Sequence, residues 1–314
     1  MESRNPCERS AERLPGRHEH EITGLAVRKV FLITPSCLIK KRRDFTGGIR
    51  RLAELGFNVI NPEFPATPLS PQEKADQIHR AFSDPDIAMI LAVRGGYGAM
   101  KALPLIDFDL IGDHPKFFAG FSDLSALINP IFERTGMVTL HAPMVKNLGA
   151  PSPFTLKSFI NAVNGYPERN LFKGAPVTVY QPGTARGVLK GGNLMTLTAL
   201  IKTDWELDTE QTILFLEDVD EKSHSVDRCL TQWILAGKFR DVRAIILGDF
   251  RGIRSSQVYG MIASQMEIKF PVVSCPYIGH GNNKISLPVG ALVELNTDRK
   301  SLRIQEMSLP GVRS

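Results

Sequence analysis

The chain is poor in the residues that mark several large classes of protein. Its 314 residues include only four cysteines, at positions 7, 37, 229 and 275, and no two of them form a C-x-x-C pair. This spacing predicts neither a zinc site nor a disulfide framework. No apolar run reaches the length of a membrane span, and the first residues lack the apolar stretch of a secretory signal. We therefore expect a globular protein of the reducing cytoplasm with no membrane partner.

Sequence motifs for nucleotides and metals are also missing. The chain has no G-x-x-x-x-G-K-[ST] loop and no His-Glu-x-x-His pair. The acidic stretch that begins at Asp218 has Ser223 where a calcium loop requires glycine. The glycine-rich stretch 95–98 is followed by Lys101, where a dinucleotide fingerprint would have its third glycine. We therefore expect metal-independent chemistry and no cofactor.

The net charge of +5 comes from one end of the chain. Residues 1–60 hold 12 Lys and Arg against 7 Asp and Glu, and the remaining residues hold 26 of each. The densest basic run, Lys40–Arg43, has no interleaved aromatic residues that could stack on bases. A solvated loop before a helix explains such a run, so we expect no nucleic-acid partner.

The most informative residue is Ser122, which follows a short apolar segment that ends at Gly120. A helical pattern begins directly after it, so the segment is typical of a strand, a sharp turn and a helix. Such a corner exposes a serine hydroxyl beside helix N–H groups, as a nucleophile requires. The alternative is that Ser122 and Asp123 only cap the helix. Two distant segments favour the nucleophile.

Glu217 and His280 are the predicted partners of this serine. Glu217 is the first acid after the apolar run of a buried strand, at the strand end where open α/β sheets hold their sites. His280 lies in a loop between two glycines, which leave its imidazole accessible. Histidine can take the serine proton, and a carboxylate can hold the imidazole in the correct tautomer. His141 is the competing base, and we interpret it as a site-lining histidine or as a buried one whose hydrogen bonds are satisfied.

A glycine-rich turn, Arg94-Gly-Gly-Tyr-Gly, follows a third predicted strand. Glycines let backbone N–H groups approach a ligand closely. We expect the Gly96 and Asp123 amides to face the oxyanion that nucleophilic attack generates. Arg94 is a candidate for binding a substrate carboxylate, and the alternative is that it braces the glycine turn.

Five segments in this order resemble the LD-carboxypeptidase family (muramoyltetrapeptide carboxypeptidases), which also contains the microcin C immunity peptidases. The segments are 94–98, 120–123, 191–194, 216–218 and 279–281, the last followed by 287–290. The resemblance implies a serine carboxypeptidase, with Ser122, Glu217 and His280 as its triad, that releases the terminal D-alanine from peptidoglycan tetrapeptides. It also implies that Tyr97 and Asn193 line the substrate pocket and that the protein is a homodimer.

The resemblance further implies an α/β fold, with the site between a flavodoxin-like N-terminal domain that has a parallel sheet and a smaller, β-rich α+β C-terminal domain. The sequence agrees, because strand and helix patterns alternate in its first half. The predicted strands there are 29–34, 57–60, 88–93, 117–119 and 138–140, and the predicted helices are 45–55 and 71–82. The predicted divisions are a polar extension 1–28, a first domain 29–150, a connector 151–175 and a second domain 176–308.

Two other functions remain open at this point. A microcin C immunity-type peptidase would use the same triad to cut an acyl bond beside a nucleotide. A catalytically silent α/β protein would use the glycine-rich turn 95–98 to bind an anion. If Ser122 is not the nucleophile, Ser125 is the next candidate.

Overall fold

The computed structural model describes residues 28–38, 43–61 and 64–308. The predicted polar extension lies outside the described residues, except for its last residue, and so does most of the basic run that begins at Lys40. Within these ranges the chain forms two β-sheets, in agreement with the two domains that the resemblance implies.

The first sheet is six-stranded and mostly parallel. Its strands are β1 (Arg28–Ile33), β2 (Phe57–Ile60), β3 (Ile87–Ala92), β4 (Phe117–Gly120), β5 (Thr139–His141) and β11 (Leu287–Val289). They are arranged in the order β11-β5-β4-β3-β1-β2, and β1 to β5 are parallel. The order 2-1-3-4-5 is the flavodoxin-like topology, so the predicted fold of this half is confirmed.

Helices connect the parallel strands of this sheet. They are α1 (Arg43–Glu54), α2 (Pro71–Ser83), α3 (Phe108–Asp113), α4 (Ser125–Thr135) and α5 (Val145–Leu148), with a 3₁₀ segment at Ala99–Leu105. The start of α2 shows why the sequence predicts it well: Ser70 and Glu73 form a reciprocal capping box beside Pro71. The shorter α3 and α5 and the 3₁₀ segment were not predicted, because a few residues carry too little periodicity.

The second sheet has seven strands. They are β6 (Thr178–Gln181), β7 (Thr184–Asn193), β8 (Thr212–Asp218), β9 (Ala244–Phe250), β10 (Val272–Ser274), β12 (Leu292–Asn296) and β13 (Ser301–Glu306). Their order is β13-β12-β7-β8-β9-β10-β6, with a parallel centre from β7 to β10 and antiparallel strands at both edges. Its helices are α7 (Leu194–Thr198), α8 (Ser223–Leu235) and α9 (Ser255–Ala263), and α6 (Pro153–Val163) precedes it. The predicted β-rich second half is confirmed.

The segment after His280 returns to the first sheet. β11 pairs antiparallel with β5, so that Leu287 lies opposite His141. The loop that carries His280 therefore starts from β10 in the second sheet and ends at β11 in the first. This topology holds the histidine between the two sheets. The strand β11 was not predicted, because its three residues are too few to show a period.

The two halves of the chain also meet where α4 contacts β7. The Asn129 amide donates to the Gly191 carbonyl at 2.9 Å and accepts from the Gly191 N–H at 3.2 Å. A Cβ atom on Gly192 would lie 2.2 Å from Ser125 Oγ. Gly192 is thus required for close packing of the β7 backbone against α4, and Gly191 for its packing against β8, where a Cβ atom would lie 1.9 Å from the Phe215 carbonyl oxygen.

We predict that Asn129→Ala lowers the free energy of unfolding by about 2–4 kcal/mol, since it leaves a buried N–H and a buried carbonyl unpaired. Asn129 is buried, whereas Asn58 on β2 is exposed, so Asn58→Ala is the matched control. Urea denaturation of both variants measures the difference. A loss below about 1 kcal/mol for Asn129→Ala would contradict this account of the interface.

Candidate active site

Ser122 lies at the turn between β4 and α4, as predicted. Its backbone has φ of +65°, a left-handed conformation that is uncommon for a residue with a side chain. Such strain costs on the order of 1–3 kcal/mol and is concentrated at functional sites. The chain therefore turns sharply at this serine, as it does at the nucleophile of a strand–turn–helix corner.

The glycine-rich turn packs directly against this serine. A Cβ atom on Gly95 would lie 3.0 Å from Ser122 Cβ and 3.1 Å from its Oγ. Gly96 has φ of +137°, and a Cβ atom there would lie 2.4 Å from Cys37 Sγ. The Gly96 amide and the Asp123 amide donate no hydrogen bond to another described residue. Gly95 is thus needed for the approach of the turn to Ser122, and Gly96 for its approach to Cys37. The sequence did not single out Gly95 as a site residue.

The Asp123 side chain has a structural task. Its carboxylate accepts a hydrogen bond from Ser36 Oγ at 2.6 Å and from the Ala99 N–H at 2.9 Å. It thus ties the loop after β1 and the end of the glycine-rich turn to the residue next to Ser122. The predicted oxyanion role concerns the Asp123 amide, and it stays a prediction.

Glu217 and His280 are in direct contact. His280 Nδ1 lies 2.7 Å from Glu217 Oε2; the Glu217 side chain is fully buried and the His280 side chain is 18% exposed. Because an ionised carboxylate can only accept, Nδ1 carries the proton and Nε2 is left as a base. A buried carboxylate needs such a partner. The structure therefore brings together two residues that are distant in the sequence.

Glycines make the room for this contact. A Cβ atom on Gly279 would lie 2.7 Å from Glu217 Oε2, and one on Gly248 would lie 2.9 Å from Glu217 Cβ. Gly279 also has φ of +119°, which an L side chain rarely adopts. The glycine before His280 is thus explained by close approach to the acid rather than by access to the imidazole.

Phe121 connects the serine to this pair. Its ring centroid lies 4.8 Å from that of His280, and Phe121 directly precedes Ser122 in the chain. In the described part of the chain, the His280 ring is hydrogen-bonded to Glu217 and forms no hydrogen bond with the Ser122 hydroxyl. Catalytic hydrogen bonds are often long without substrate and tighten when it binds. The contact between Ser122 and His280 stays a prediction.

Arg94 and Tyr97 lie on the same turn but differ in exposure. Arg94 is half-buried, and its Nε donates to the neighbouring Gly95 carbonyl at 3.0 Å, which braces the turn. Its two terminal nitrogens have no partner within the described ranges. The Tyr97 side chain is 71% exposed, and Lys101 Nζ lies 5.6 Å from its ring centroid. Both remain predicted substrate-binding residues.

The Asn193 side chain has partners at both ends of its amide. Its Oδ1 accepts from the Thr196 N–H at 3.0 Å, so Asn193 caps α7, and its Nδ2 donates to Asp218 at 3.0 Å. Asp218 in turn accepts from the Met195 N–H, and burial raises the pKa of Asp218 to about 6. A role for Asn193 in substrate binding stays a prediction and would require exchange of one of these bonds.

The His141 side chain is buried among aromatic rings and is not exposed to a substrate. Its ring lies between those of Phe121 and Phe215, with centroid distances of 5.6 Å and 5.0 Å, and neither ring nitrogen has a hydrogen-bond partner in the described chain. Burial lowers the pKa of His141 to about 3. The predicted burial of His141 is confirmed, but the expectation that its hydrogen bonds are satisfied is wrong within the described chain.

The described residues contain no group of three or more His, Cys, Asp or Glu side chains placed to hold a metal ion. None of the helices in the described ranges is long and apolar enough to cross a membrane.

Two family profiles match the chain. The LD-carboxypeptidase N-terminal domain matches residues 30–142, and the LD-carboxypeptidase C-terminal domain matches residues 186–295. Both ranges fall inside the predicted domains, 29–150 and 176–308. The position of the boundary between the domains stays a prediction.

Similar proteins are known in sequence and in structure. A Bacillus subtilis protein named "Probable murein peptide carboxypeptidase" is 32% identical over 243 residues, which cover 74% of this chain and 76% of that protein. The murein tetrapeptide carboxypeptidase of Pseudomonas aeruginosa is 30% identical over 252 residues, 73% of this chain and 78% of that protein. A solved structure of MccF with glutamyl sulfamoyl guanosine aligns with a TM-score of 0.81 at 25% identity, covering 91% of this chain and 98% of that one.

The fold and the profiles together define a two-domain α/β protein of the carboxypeptidase type. The chain belongs to the LD-carboxypeptidase family. The resemblance seen in the sequence is therefore confirmed.

We predict that His141 makes the protein sensitive to acid. Its folded-state pKa lies below the ordinary 6.5, so its contribution to stability is present above pH 6.5 and is lost as pH falls toward 3. When the pH falls from 7 to 4.5, the free energy of unfolding should decrease in both proteins. The decrease should be about 2–3 kcal/mol smaller for His141→Leu than for the unmodified chain. Thermal and urea denaturation at both pH values measure this effect.

The control for this prediction is His224→Leu, because His224 is exposed on α8. It should lose as much stability in acid as the unmodified protein does. Equal losses for His141→Leu and the unmodified protein would show that the buried imidazole is not responsible.

Proposed function

We propose that the chain is a metal-independent serine carboxypeptidase that hydrolyses the L,D-peptide bond holding the terminal D-alanine of peptidoglycan-derived tetrapeptides. The observation that carries the proposal is the buried Glu217 carboxylate 2.7 Å from His280, beside a serine in a strained turn. The names of the relatives in Bacillus subtilis and Pseudomonas aeruginosa support a murein peptide as substrate. Family resemblance supports a cytoplasmic homodimer that recycles cell-wall peptides.

In the proposed reaction, Ser122 Oγ attacks the carbonyl carbon of the L-configured residue while His280 Nε2 takes its proton. The tetrahedral intermediate collapses, and His280 returns the proton to the amine of the departing D-alanine. Glu217 holds the ring and stabilises the imidazolium. Water then attacks the acyl-enzyme, with His280 again acting first as base and then as acid, and the shortened peptide leaves.

The Gly96 and Asp123 amides are the proposed donors to the oxyanion. Both belong to segments that pack against Ser122, and neither amide has another acceptor among the described residues. Preorganised donors of this kind contribute about 3–4 kcal/mol each to transition-state stabilisation.

An exopeptidase must also recognise a free terminal carboxylate. Arg94 is the proposed group, because its Nε braces the turn and leaves its two terminal nitrogens for a ligand. A guanidinium can bind a carboxylate with two parallel hydrogen bonds. Tyr97, exposed on the same turn, is proposed to line the pocket, and Asn193 is proposed there only on the resemblance.

We predict that Ser122→Ala lowers kcat on a tetrapeptide ending in L-diamino acid–D-alanine by about 10⁶-fold, the loss found when a triad nucleophile is removed. Released D-alanine is measured by a coupled amino-acid oxidase assay and by mass spectrometry.

The matched control is Ser125→Ala, three residues further on. Ser125 is buried, and its Oγ accepts from the Asn193 N–H at 3.0 Å, so it packs α4 against β7. Its loss should leave kcat within about tenfold of the unmodified value, because it touches no reacting atom. Near-normal turnover by Ser122→Ala, or a collapse of turnover in folded Ser125→Ala, would refute the assignment.

The alternative substrate is an acyl group joined to a nucleotide. The aligned MccF structure holds glutamyl sulfamoyl guanosine, which favours this alternative. Stacking a base requires an available aromatic face. Trp233 offers none, because it is buried and its indole N–H donates to Thr198 Oγ1 at 2.8 Å. Trp205 is half-buried and Tyr97 is 71% exposed, so either could still offer a face. The preference for a peptide substrate therefore rests on the names of the relatives.

We predict that the chain cleaves the tetrapeptide at least tenfold faster than an aminoacyl sulfamoyl adenosine at equal concentration. Mass spectrometry of both reactions, each with Ser122→Ala as the blank, measures the ratio. A faster reaction with the sulfamoyl adenosine would instead establish the immunity-type activity. Failure of a serine-directed fluorophosphonate to label Ser122 in the unmodified chain would favour a silent binding protein.

A further inference from the structure

Three charged side chains that sequence analysis did not identify surround the loop that carries His280. The Arg251 guanidinium donates to the His280 carbonyl at 2.7 Å. The Asp249 carboxylate lies beside the Gly281 amide, and the Lys284 ammonium donates to the Gly281 carbonyl. The peptide groups around the histidine are thus held by charge-assisted hydrogen bonds, which are about twice as strong as neutral ones.

Lys284 differs from Arg251 because it is buried, with 7% of its surface exposed. Its Nζ lies 5.5 Å from the centroid of the Phe121 ring, within the range of a cation–π contact. The same ring contacts the His280 imidazole. One aromatic side chain, next to Ser122 in sequence, therefore contacts both the predicted base and the lysine that holds the loop of that base.

We propose that Lys284 is a positioning residue: its ammonium, held between the Gly281 carbonyl and the Phe121 ring, fixes His280 at the distance from Ser122 that proton transfer requires. This inference rests on the proposed function, because it concerns the same serine and histidine. It assigns to Lys284 no contact with the substrate.

The charge of Lys284 is the property that matters in this arrangement. An apolar side chain of similar length would fill the same space without the cost of burying an ammonium. It could neither bond the Gly281 carbonyl nor attract the Phe121 ring. Lys284 thus links the segment that contains Phe121 and Ser122 to the loop that carries His280.

Its surroundings predict the pH range over which Lys284 acts. Burial lowers the pKa of Lys284 to about 8, and it is the largest effect. The ionisable groups that face Lys284 come from four parts of the chain: Glu217 on β8, Asp249 and Arg251 at the end of β9, His141 on β5, and His280 on its own loop. The ammonium is present below pH 8 and is lost above it, and the cation–π contact is lost with it.

The test measures the rate at which a fluorophosphonate labels Ser122 in the full chain between pH 6 and pH 10. At pH 7, Lys284→Met should label about 10²-fold more slowly, the loss that a displacement of about 1 Å causes. Lys284→Arg should recover most of the rate. It should also keep that rate above pH 8, where the unmodified chain declines, because a guanidinium stays charged.

The control is Lys269→Met, because Lys269 is exposed on the surface beside Glu267. It should label at the unmodified rate. A folded Lys284→Met that labels normally would overturn the proposal. If Lys284→Met does not fold, the comparison with Lys284→Arg decides. The proposal is overturned if the labelling rate falls above pH 8 by the same factor in Lys284→Arg and in the unmodified chain. Failure of the unmodified chain to label refutes the proposed function itself.

Discussion

The contact between the Glu217 carboxylate and the His280 imidazole is the constraint on which the rest of the site depends. A fully buried carboxylate is costly unless it is paired, and the pairing fixes which imidazole nitrogen remains a base. The contact also dictates its surroundings. Gly248 and Gly279 must lack side chains, because a Cβ atom on either would collide with Glu217.

The topology then determines how this pair is placed relative to the serine. Glu217 lies near the end of β8 in the second sheet, whereas Ser122 follows β4 in the first. The loop with His280 spans the gap, because it leaves β10 and continues into β11 at the edge of the first sheet. Contacts between α4 and the Gly191-Gly192 backbone hold the same two regions together.

Residues with a local signal could be predicted from the sequence, and residues defined by distant contacts could not. Ser122 and Glu217 each follow an apolar run, and His280 lies between glycines, so the sequence predicts all three as site residues, and the structure pairs two of them. Phe121 and Lys284 were missed, because an aromatic at a strand end and a lysine in a loop are ordinary until the fold brings them together. The resemblance suggested a pocket role for Asn193 but could not reveal that its amide caps α7. The strand β11 is too short to show a period.

The most direct test of the account is a kinetic cycle that combines Glu217→Gln, His280→Ala and the double variant, with the rate of fluorophosphonate labelling at Ser122 as the measurement. If Glu217 acts only through His280, the double variant should label no more slowly than His280→Ala alone, and Glu217→Gln should lose less than His280→Ala. If the fold-loss of labelling rate in the double variant equals the product of the two single fold-losses, the two residues act independently. That result would contradict a single catalytic unit.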